Sequence, residues 1–370
     1  LRRRNLIPQK DMPYANPLGM TYDNCDYDQV MDMALGLADR DGIEVRREAA
    51  RARGRLLGFG IANYVETSTG APRERTEIIV EPEGHVDVVI GTLSSGQGHE
   101  TSFAQLVTEW LGVPAEDVRL ITGDTDVVTV GGGSHSGRSM RLAGIVMGKA
   151  SADIAERGGR IAAHMLEAAE ADISFVNGVF TVAGTDRSLG IFDVAAAANQ
   201  RDDLPEELQG PLAAECDEVI QVPAFPYGCH VCEVEVDPET GFVEITRYGA
   251  VDDVGRAINP LILHGQTHGG AVQGLGQALL EDCSYDGETG QMLAASFMDY
   301  AMPRADQFPF FHTALSEVPA PTNPLGIRAG GEGGTTPALG VLINAIVDAL
   351  AHLGVRHVEM PATPERVWRV

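Results

Sequence analysis

Lysine is almost missing from this chain. Only Lys10 and Lys149 stand among 27 basic residues, against 53 Asp and Glu, for a formal net charge of −26. That balance excludes a broad binder of nucleic acid or anionic membrane, since both need a positive face. It leaves room for one local basic pocket. Arginine is the cation left to build it, and its planar fork suits phosphate. Cysteine is also scarce and scattered, at Cys25, Cys216, Cys229, Cys232 and Cys283. This excludes a disulfide scaffold and a cluster-spaced iron–sulfur set, and a reducing compartment is expected. No run approaches the roughly 18 apolar residues of a membrane span, so no transmembrane helix is expected. No basic leader with an apolar run opens the chain, and Leu1 in place of Met suggests a processed or truncated start. Aromatic residues are few, but 44% hydrophobic content over 370 residues supplies an ordinary globular core. The length suits one large domain or two to three modules.

Glycine is abundant instead, and its clustering matters more than its total. Between the clusters, hydrophobic periodicity predicts the elements. Residues 26–53 read as helix and Leu56–Val65 as a buried strand. Residues 76–92 read as a hairpin around Glu81-Pro82-Glu83-Gly84. A helix carries Phe103, Leu106, Val107 and Trp110, and Val118–Ile121 is a short strand. One helix is expected from Met140 past Lys149 and another over 159–170. Residues 200–217 read as a surface connection, 227–250 as a hairpin and 264–281 as a Gly-rich helix. A strand is expected over 292–300 and a last helix over Ala338–Leu350. This order predicts an α+β fold of repeated two-layer α/β sandwich modules, not one Rossmann unit. Three parts are expected: a lead-in over 1–55, an α+β module over 56–215 and a second over 216–370.

Polar loops carry the chemistry. Gly96-Gln97-Gly98-His99-Glu100 lies between a strand and a helix, where glycines admit close approach and helix amides can take an anion. A plain helix cap is the alternative. Gly131-Gly132-Gly133-Ser134-His135-Ser136-Gly137-Arg138-Ser139 has the composition of an anion nest but lacks the Walker A ending. A flexible surface loop is its alternative. In the third, Asn323 to Thr336, Glu332 stands between Gly330-Gly331 and Gly333-Gly334. A carboxylate there could meet a planar ligand and act as a general base, or could be a solvated turn. The glycines from His264 to Gly276 suit tight helix packing or a ligand. Cys229-His230-Val231-Cys232 has redox or metal spacing, but in a strand the two thiols face opposite sides and no second pair completes a zinc site.

Together these segments resemble the molybdenum-binding subunit of the xanthine dehydrogenase/aldehyde oxidase family, including carbon monoxide dehydrogenase-like large subunits. The resemblance rests on Arg2-Arg3-Arg4-Asn5-Leu6-Ile7-Pro8, Tyr22-Asp23, Gly96–Glu100, and Gly123-Asp124-Thr125-Asp126 with the Arg138 loop. It also rests on Asp253 with Gly255-Arg256-Ala257-Ile258-Asn259-Pro260, on Gly265–Gly276 and on Gly331-Glu332-Gly333. It covers essentially the whole chain, which looks like the C-terminal half of a subunit about twice as long. It departs at Ser136-Gly137-Arg138, where many relatives have Gly-Ser-Arg.

The resemblance implies a molybdenum–molybdopterin cytosine dinucleotide cofactor, with no protein ligand to the metal. Gln97, Gly98, His99, Ser136, Gly137, Arg138, Ser139 and Gly331 would bind it, and Glu332 would be catalytic. The implied reaction hydroxylates an aldehyde or N-heterocycle with oxygen from water. Electrons would leave through 2Fe-2S and FAD centres on partner domains or subunits. The implied partners are an N-terminal half, an iron–sulfur subunit and a flavin subunit, in a dimer of heteromers. That complex would be cytoplasmic, or peripheral to the inner membrane through partners. Three other readings are kept: part of a carbon monoxide dehydrogenase large subunit, a noncatalytic half-subunit, and a hydrolase using Ser136 or Ser139 beside His135. Carbon monoxide oxidation in the family depends on a Cys-bearing loop outside this chain.

Overall fold

A computed structural model describes residues 1–68 and 70–370. In chain order the elements begin with α1 (Arg2–Asn5), β1 (Tyr14–Ala15), β2 (Thr21–Tyr22), α2 (Tyr27–Leu37), α3 (Ile43–Ala52) and β3 (Leu56–Val65). Next come β4 (Arg73–Glu81), β5 (His85–Ile90), α4 (His99–Leu111), β6 (Val118–Ile121) and α5 (Ser139–Met165). β7 (Ile173–Val176), β8 (Val179–Val182), β9 (Ser188–Gly190), α6 (Ile191–Gln200) and β10 (Leu212–Val219) follow. The chain closes with β11 (Tyr227–Val236), β12 (Val243–Asp253), α7 (Pro260–Leu279), β13 (Phe311–Ser316), α8 (Thr335–Leu350) and α9 (Pro364–Arg369).

Two compact units emerge. The first joins Leu1–Ser68, Ala224–Thr322 and Gly326–Val370, and the second joins Thr69–Pro223 with Asn323–Leu325. These cuts differ from the three consecutive parts expected at 1–55, 56–215 and 216–370. The reason is β3, which pairs antiparallel with β11 along its whole length, from Leu56↔Val236 to Val65↔Tyr227. A strand early in the chain therefore belongs with the C-terminal sheet.

The first unit is built on the sheet β13-β12-β11-β3. β11 and β12 form the expected hairpin, closed by the Asp237 side chain accepting from Glu239 N–H at 2.9 Å. Alternation divides β11 between two cores. Tyr227, Cys229 and Val231 pack with α2, while Cys232, Val234 and Val236 pack with α7 and α8. The unit thus has helices on both faces of its sheet, one layer more than the sandwich expected from sequence. Both faces of β11 are apolar, so both need cover. Cys229 and Cys232 lie on opposite faces as expected, and burial pushes the Cys229 thiol up to about 12. Among the described residues no group of three metal-ligating side chains forms.

α8 lies directly on β3, because Gly58 and Gly60 leave no side chains between them. A Cβ on Gly60 would stand 1.9 Å from the Val341 carbonyl oxygen. Thr335–Leu353, α8 with its closing turn, is long and apolar enough by composition to cross a membrane, which corrects the expectation of no such stretch. Thr335, Thr336, Pro337, Asn344 and Asp348 broke the apolar run in the sequence. Here Val341, Leu342, Ala345 and Ile346 are buried against the sheet.

The second unit is two-layered. Its sheet β10-β4-β5-β6 takes α5 against one face, and a three-stranded meander β7-β8-β9 lies apart. The other face carries paired charges, Arg73 with Asp217, Arg75 with Glu215 and Arg119 with Asp87. Several elements differ from their sequence reading. Residues 26–53 split into α2 and α3 where Asp39 takes a left-handed turn (φ 48°). The two helices expected over 140–170 are one, α5. Part of the 200–217 connection is the edge strand β10. No strand forms over 292–300, and β13 lies further on.

Candidate functional site

In the second unit, two of the polar loops come together. The backbones of Gly91 and Gly131 touch, so closely that a Cβ on Gly91 would lie 2.2 Å from Gly131 Cα. Ser134 Oγ donates to the Leu93 carbonyl at 2.6 Å, and Ser139 Oγ bonds Ser134 Oγ at 3.1 Å. Gly98 caps α4 in a left-handed conformation (φ 74°) that a side chain would strain. Gln97 folds back, its amide oxygen accepting the Ser95 N–H at 2.5 Å. That leaves the Gln97 amide nitrogen for a ligand.

His99 and Arg138, both expected to bind cofactor, are turned inward. His99 is buried, donates Nδ1–H to the Thr92 carbonyl at 3.0 Å and stacks on Phe103. Burial holds its imidazole below the usual range. Arg138 is fully buried, and its guanidinium is shared among the carbonyls of Ala71 (2.9 Å), Gly133 (2.7 Å) and Arg73 (2.7 Å). Glu74 completes the set at 2.8 Å. Burial raises the Glu74 carboxyl, with Arg138 pulling it back. Arg138 thus ties the glycine loop to β4 instead of offering its charge to an anion. Ser136 and Gly137 turn through consecutive left-handed conformations (φ 49° and 63°). His135 bonds Ser136 Oγ at 3.1 Å and the Gly132 carbonyl at 3.0 Å, so a carbonyl stands where a hydrolase triad would place a carboxylate.

Glu332 belongs to the first unit. It stands exposed on the turn into α8, and its carbonyl accepts the N–H groups of Thr335 (3.0 Å) and Thr336 (3.1 Å). The glycines after it serve close approach. A Cβ on Gly333 would lie 2.4 Å from Tyr64 Oη, and one on Gly334 would lie 2.6 Å from the Thr267 carbonyl. Gly331 is open to space. Four residues earlier, the buried Arg328 anchors the loop. It donates to Asp253 at 2.8 Å and Asp23 at 3.2 Å, with its guanidinium over the Tyr227 ring.

Beneath this turn lies a polar cluster that the sequence did not disclose. Asp252 accepts from Tyr64 Oη (2.8 Å), Thr267 Oγ1 (2.8 Å) and His230 Nε2 (3.0 Å), and His230 Nδ1 bonds Tyr248 Oη at 2.8 Å. Burial pushes the Asp252 carboxyl up, but His230 and these hydroxyls hold it below its ordinary value. Glu66 follows β3, its N–H donating to the Pro226 carbonyl at 2.9 Å. Both its carboxyl oxygens are buried, and no described residue donates to them. The group within hydrogen-bonding reach is the Glu332 carboxyl, with Asp252 beyond it. The only sequence signal for Glu66 was an acid at the end of an apolar strand.

Residues 35–309 match the molybdopterin cofactor-binding domain family. Over 386 residues the chain is 32% identical to the carbon monoxide dehydrogenase large chain of Hydrogenophaga pseudoflava, covering 100% of this chain and 47% of that one. It is 35% identical over 373 residues to the gamma subunit of the 6-hydroxypseudooxynicotine dehydrogenase complex of Paenarthrobacter nicotinovorans, covering 99% and 47%. Among solved structures, quinoline 2-oxidoreductase from Pseudomonas putida 86 aligns with a TM-score of 0.92 at 34% identity, covering 100% of this chain and 48% of that one. The chain spans about half the length of the curated relatives it matches, corresponding to their C-terminal part. By sequence and by fold, it belongs to the molybdopterin cofactor-binding family of the molybdenum hydroxylases.

Proposed function

We propose that this chain supplies part of the cofactor cradle and the catalytic base of a molybdenum hydroxylase acting on an aldehyde or N-heterocycle. The observation that carries this is Glu332, an exposed carboxylate on a glycine turn pinned at the start of α8. The loops fit a planar, anionic cofactor. In the second unit Gly96 and Gly133 are open where a Cβ would stand, so a ligand can approach that backbone closely, and in the first unit Gly331 is open in the same way. The molybdenum cofactor, when bound, supplies oxygen transfer from water and two-electron redox chemistry. This chain's residues bind, orient and move the proton. The Gln97 amide nitrogen and the backbone of Gly98, Ser136, Gly137 and Gly331 would contact the cofactor, with Ser139 at the start of α5. His99 and Arg138 would shape the loops from behind, and Glu332 would accept the proton of the attacking water. The cytosine dinucleotide form, and 2Fe-2S and FAD centres on partner subunits in a cytoplasmic dimer of heteromers, complete the proposal. An N-heterocyclic substrate is favoured by the relative named for quinoline.

The test is Glu332→Gln in the assembled enzyme. Turnover should fall by about 10²–10⁴-fold, the usual worth of a general base, with molybdenum and pterin content unchanged. Full turnover in that variant would instead make the chain a noncatalytic half-subunit. Hydrolysis persisting after molybdenum removal would favour the Ser136–His135 pair.

A further inference from the structure

Glu66 has both carboxyl oxygens buried beside the Glu332 carboxyl and no part in the cradle or the proton transfer proposed for this chain. Its neighbours can be named from each element packed against it. Tyr64 lies on β3 just before it, Asp252 on β12 and Glu332 on the turn before α8, while His230 on β11 and Thr267 on α7 are engaged with Asp252. Arg328, the nearest cation of the loop, is committed to Asp253 and Asp23. Two carboxyl groups thus meet, no cation among the described residues acts on Glu66, and two carboxylates in contact repel. One must hold a proton. Asp252 already receives three hydrogen bonds and stays ionised. Glu332 is exposed to water, whereas the Glu66 oxygens are buried and receive no donor. Burial penalises the charged form, so the proton belongs on Glu66.

We propose that Glu66 is a positioning residue for Glu332, its neutral carboxyl donating a hydrogen bond that holds the Glu332 carboxylate in one orientation. This rests on the reading of Glu332 as the base. An exposed Glu has many rotamers, and the bond selects one of them without touching substrate. The tie works only while Glu66 keeps its proton. Burial and the Glu332 carboxyl raise Glu66 to about 8. The donor is therefore present at neutral pH and is lost as pH rises through that value. Above it, two carboxylates face each other and the turn loses its orientation.

Two variants and a spectrum test this in the assembled enzyme. Infrared difference spectra against pH should show a protonated carboxyl C=O band that persists at neutral pH and disappears in Glu66→Gln. This readout does not depend on turnover or metal loading. Glu66→Gln keeps a neutral donor, so it should retain near-normal turnover and lack the alkaline fall in kcat near pH 8 that is expected of the unaltered enzyme. Glu66→Ala keeps no donor, and its kcat should fall by about 10- to 100-fold at unchanged molybdenum content. The proposal is overturned if the unaltered enzyme lacks the band, if Glu66→Gln keeps it, or if Glu66→Ala matches the unaltered enzyme in kcat and pH profile. Equal losses in both variants would also overturn it, because they would make Glu66 merely structural. A fully active Glu332→Gln enzyme would remove the base assignment while leaving the spectral test of the pair intact.

Discussion

Arg138 shows how a residue can be found by sequence while its partners cannot. A lone Arg among glycines and hydroxyls suggested a phosphate ligand. The groups that occupy it are three backbone carbonyls and Glu74, none of which has a local sequence signature. Arg138→Met should destabilise the second unit by about 3–5 kcal/mol, because it leaves Glu74 buried without a counter-charge. Glu74 is already raised by burial, and without Arg138 it would take up a proton readily. The loss measured by denaturant titration should therefore shrink as pH falls. Were Arg138 a phosphate ligand alone, cofactor affinity would drop with stability unchanged. Ser136 is legible in the other direction. Its left-handed φ of 49° is a conformation that glycine adopts without steric cost. Ser136→Gly should relieve about 1 kcal/mol of backbone strain, read as a small rise in Tm, while releasing the bond to His135.

At the scale of elements, sequence periodicity works where one face is apolar and the other wet. β4, β5 and α4 are read from it directly, whereas the β11–β12 hairpin, covered on both faces of β11, is read from its turn residues Asp237 to Gly241. It fails where burial is two-sided or where the boundary is tertiary. α5 reads as two helices because Gly158 and Gly159 interrupt its pattern. Gly158 is there for packing, since a Cβ on it would meet the Phe180 ring at 2.5 Å. β10 reads as a connection because it is an edge strand whose alternate residues are charged. The glycines of β3 carry a similar message. They weaken a strand in isolation, yet they let α8 rest on backbone. Gly60→Ala should therefore cost about 3 kcal/mol by overpacking against the Val341 carbonyl, measured by thermal unfolding. The same displacement moves the start of α8, so turnover should fall along with stability. Unfolding alone, with normal kcat in the folded fraction, would show that the Glu332 turn is held by Arg328 and not by the helix.

At the scale of the whole molecule, the second unit is an insertion in the first. The chain leaves the first unit after Ser68 and returns at Ala224, and these two residues are bridged antiparallel, with Ser68 N–H donating to the Ala224 carbonyl at 2.9 Å. Linear order hid this arrangement. Nothing in residues 56–68 marks a partner strand at 227–236, so a boundary drawn by sequence cuts a continuous ladder. The hydrophobic clusters around β11 draw all their residues from the first unit, including α2, α7 and α8. That unit therefore owns a complete core. Replacing Thr69–Pro223 by an Asn-Gly turn should join Ser68 to Ala224 as an ordinary two-residue hairpin. The shortened chain is expected to fold, with a single cooperative melt by circular dichroism and a monomeric elution volume. It frees Asn323–Leu325, whose anchors are Arg141 and Gly144 on α5, but those three residues contribute nothing to the two clusters. The shortened chain should also keep the infrared band of the Glu66–Glu332 pair, since Glu66, Glu332, Asp252 and Tyr64 all lie in the first unit. A molten product without a cooperative transition would mean that the inserted unit is needed to complete the sheet. A cooperative melt without the band would mean that the fold survives while the glycine turn before α8 does not.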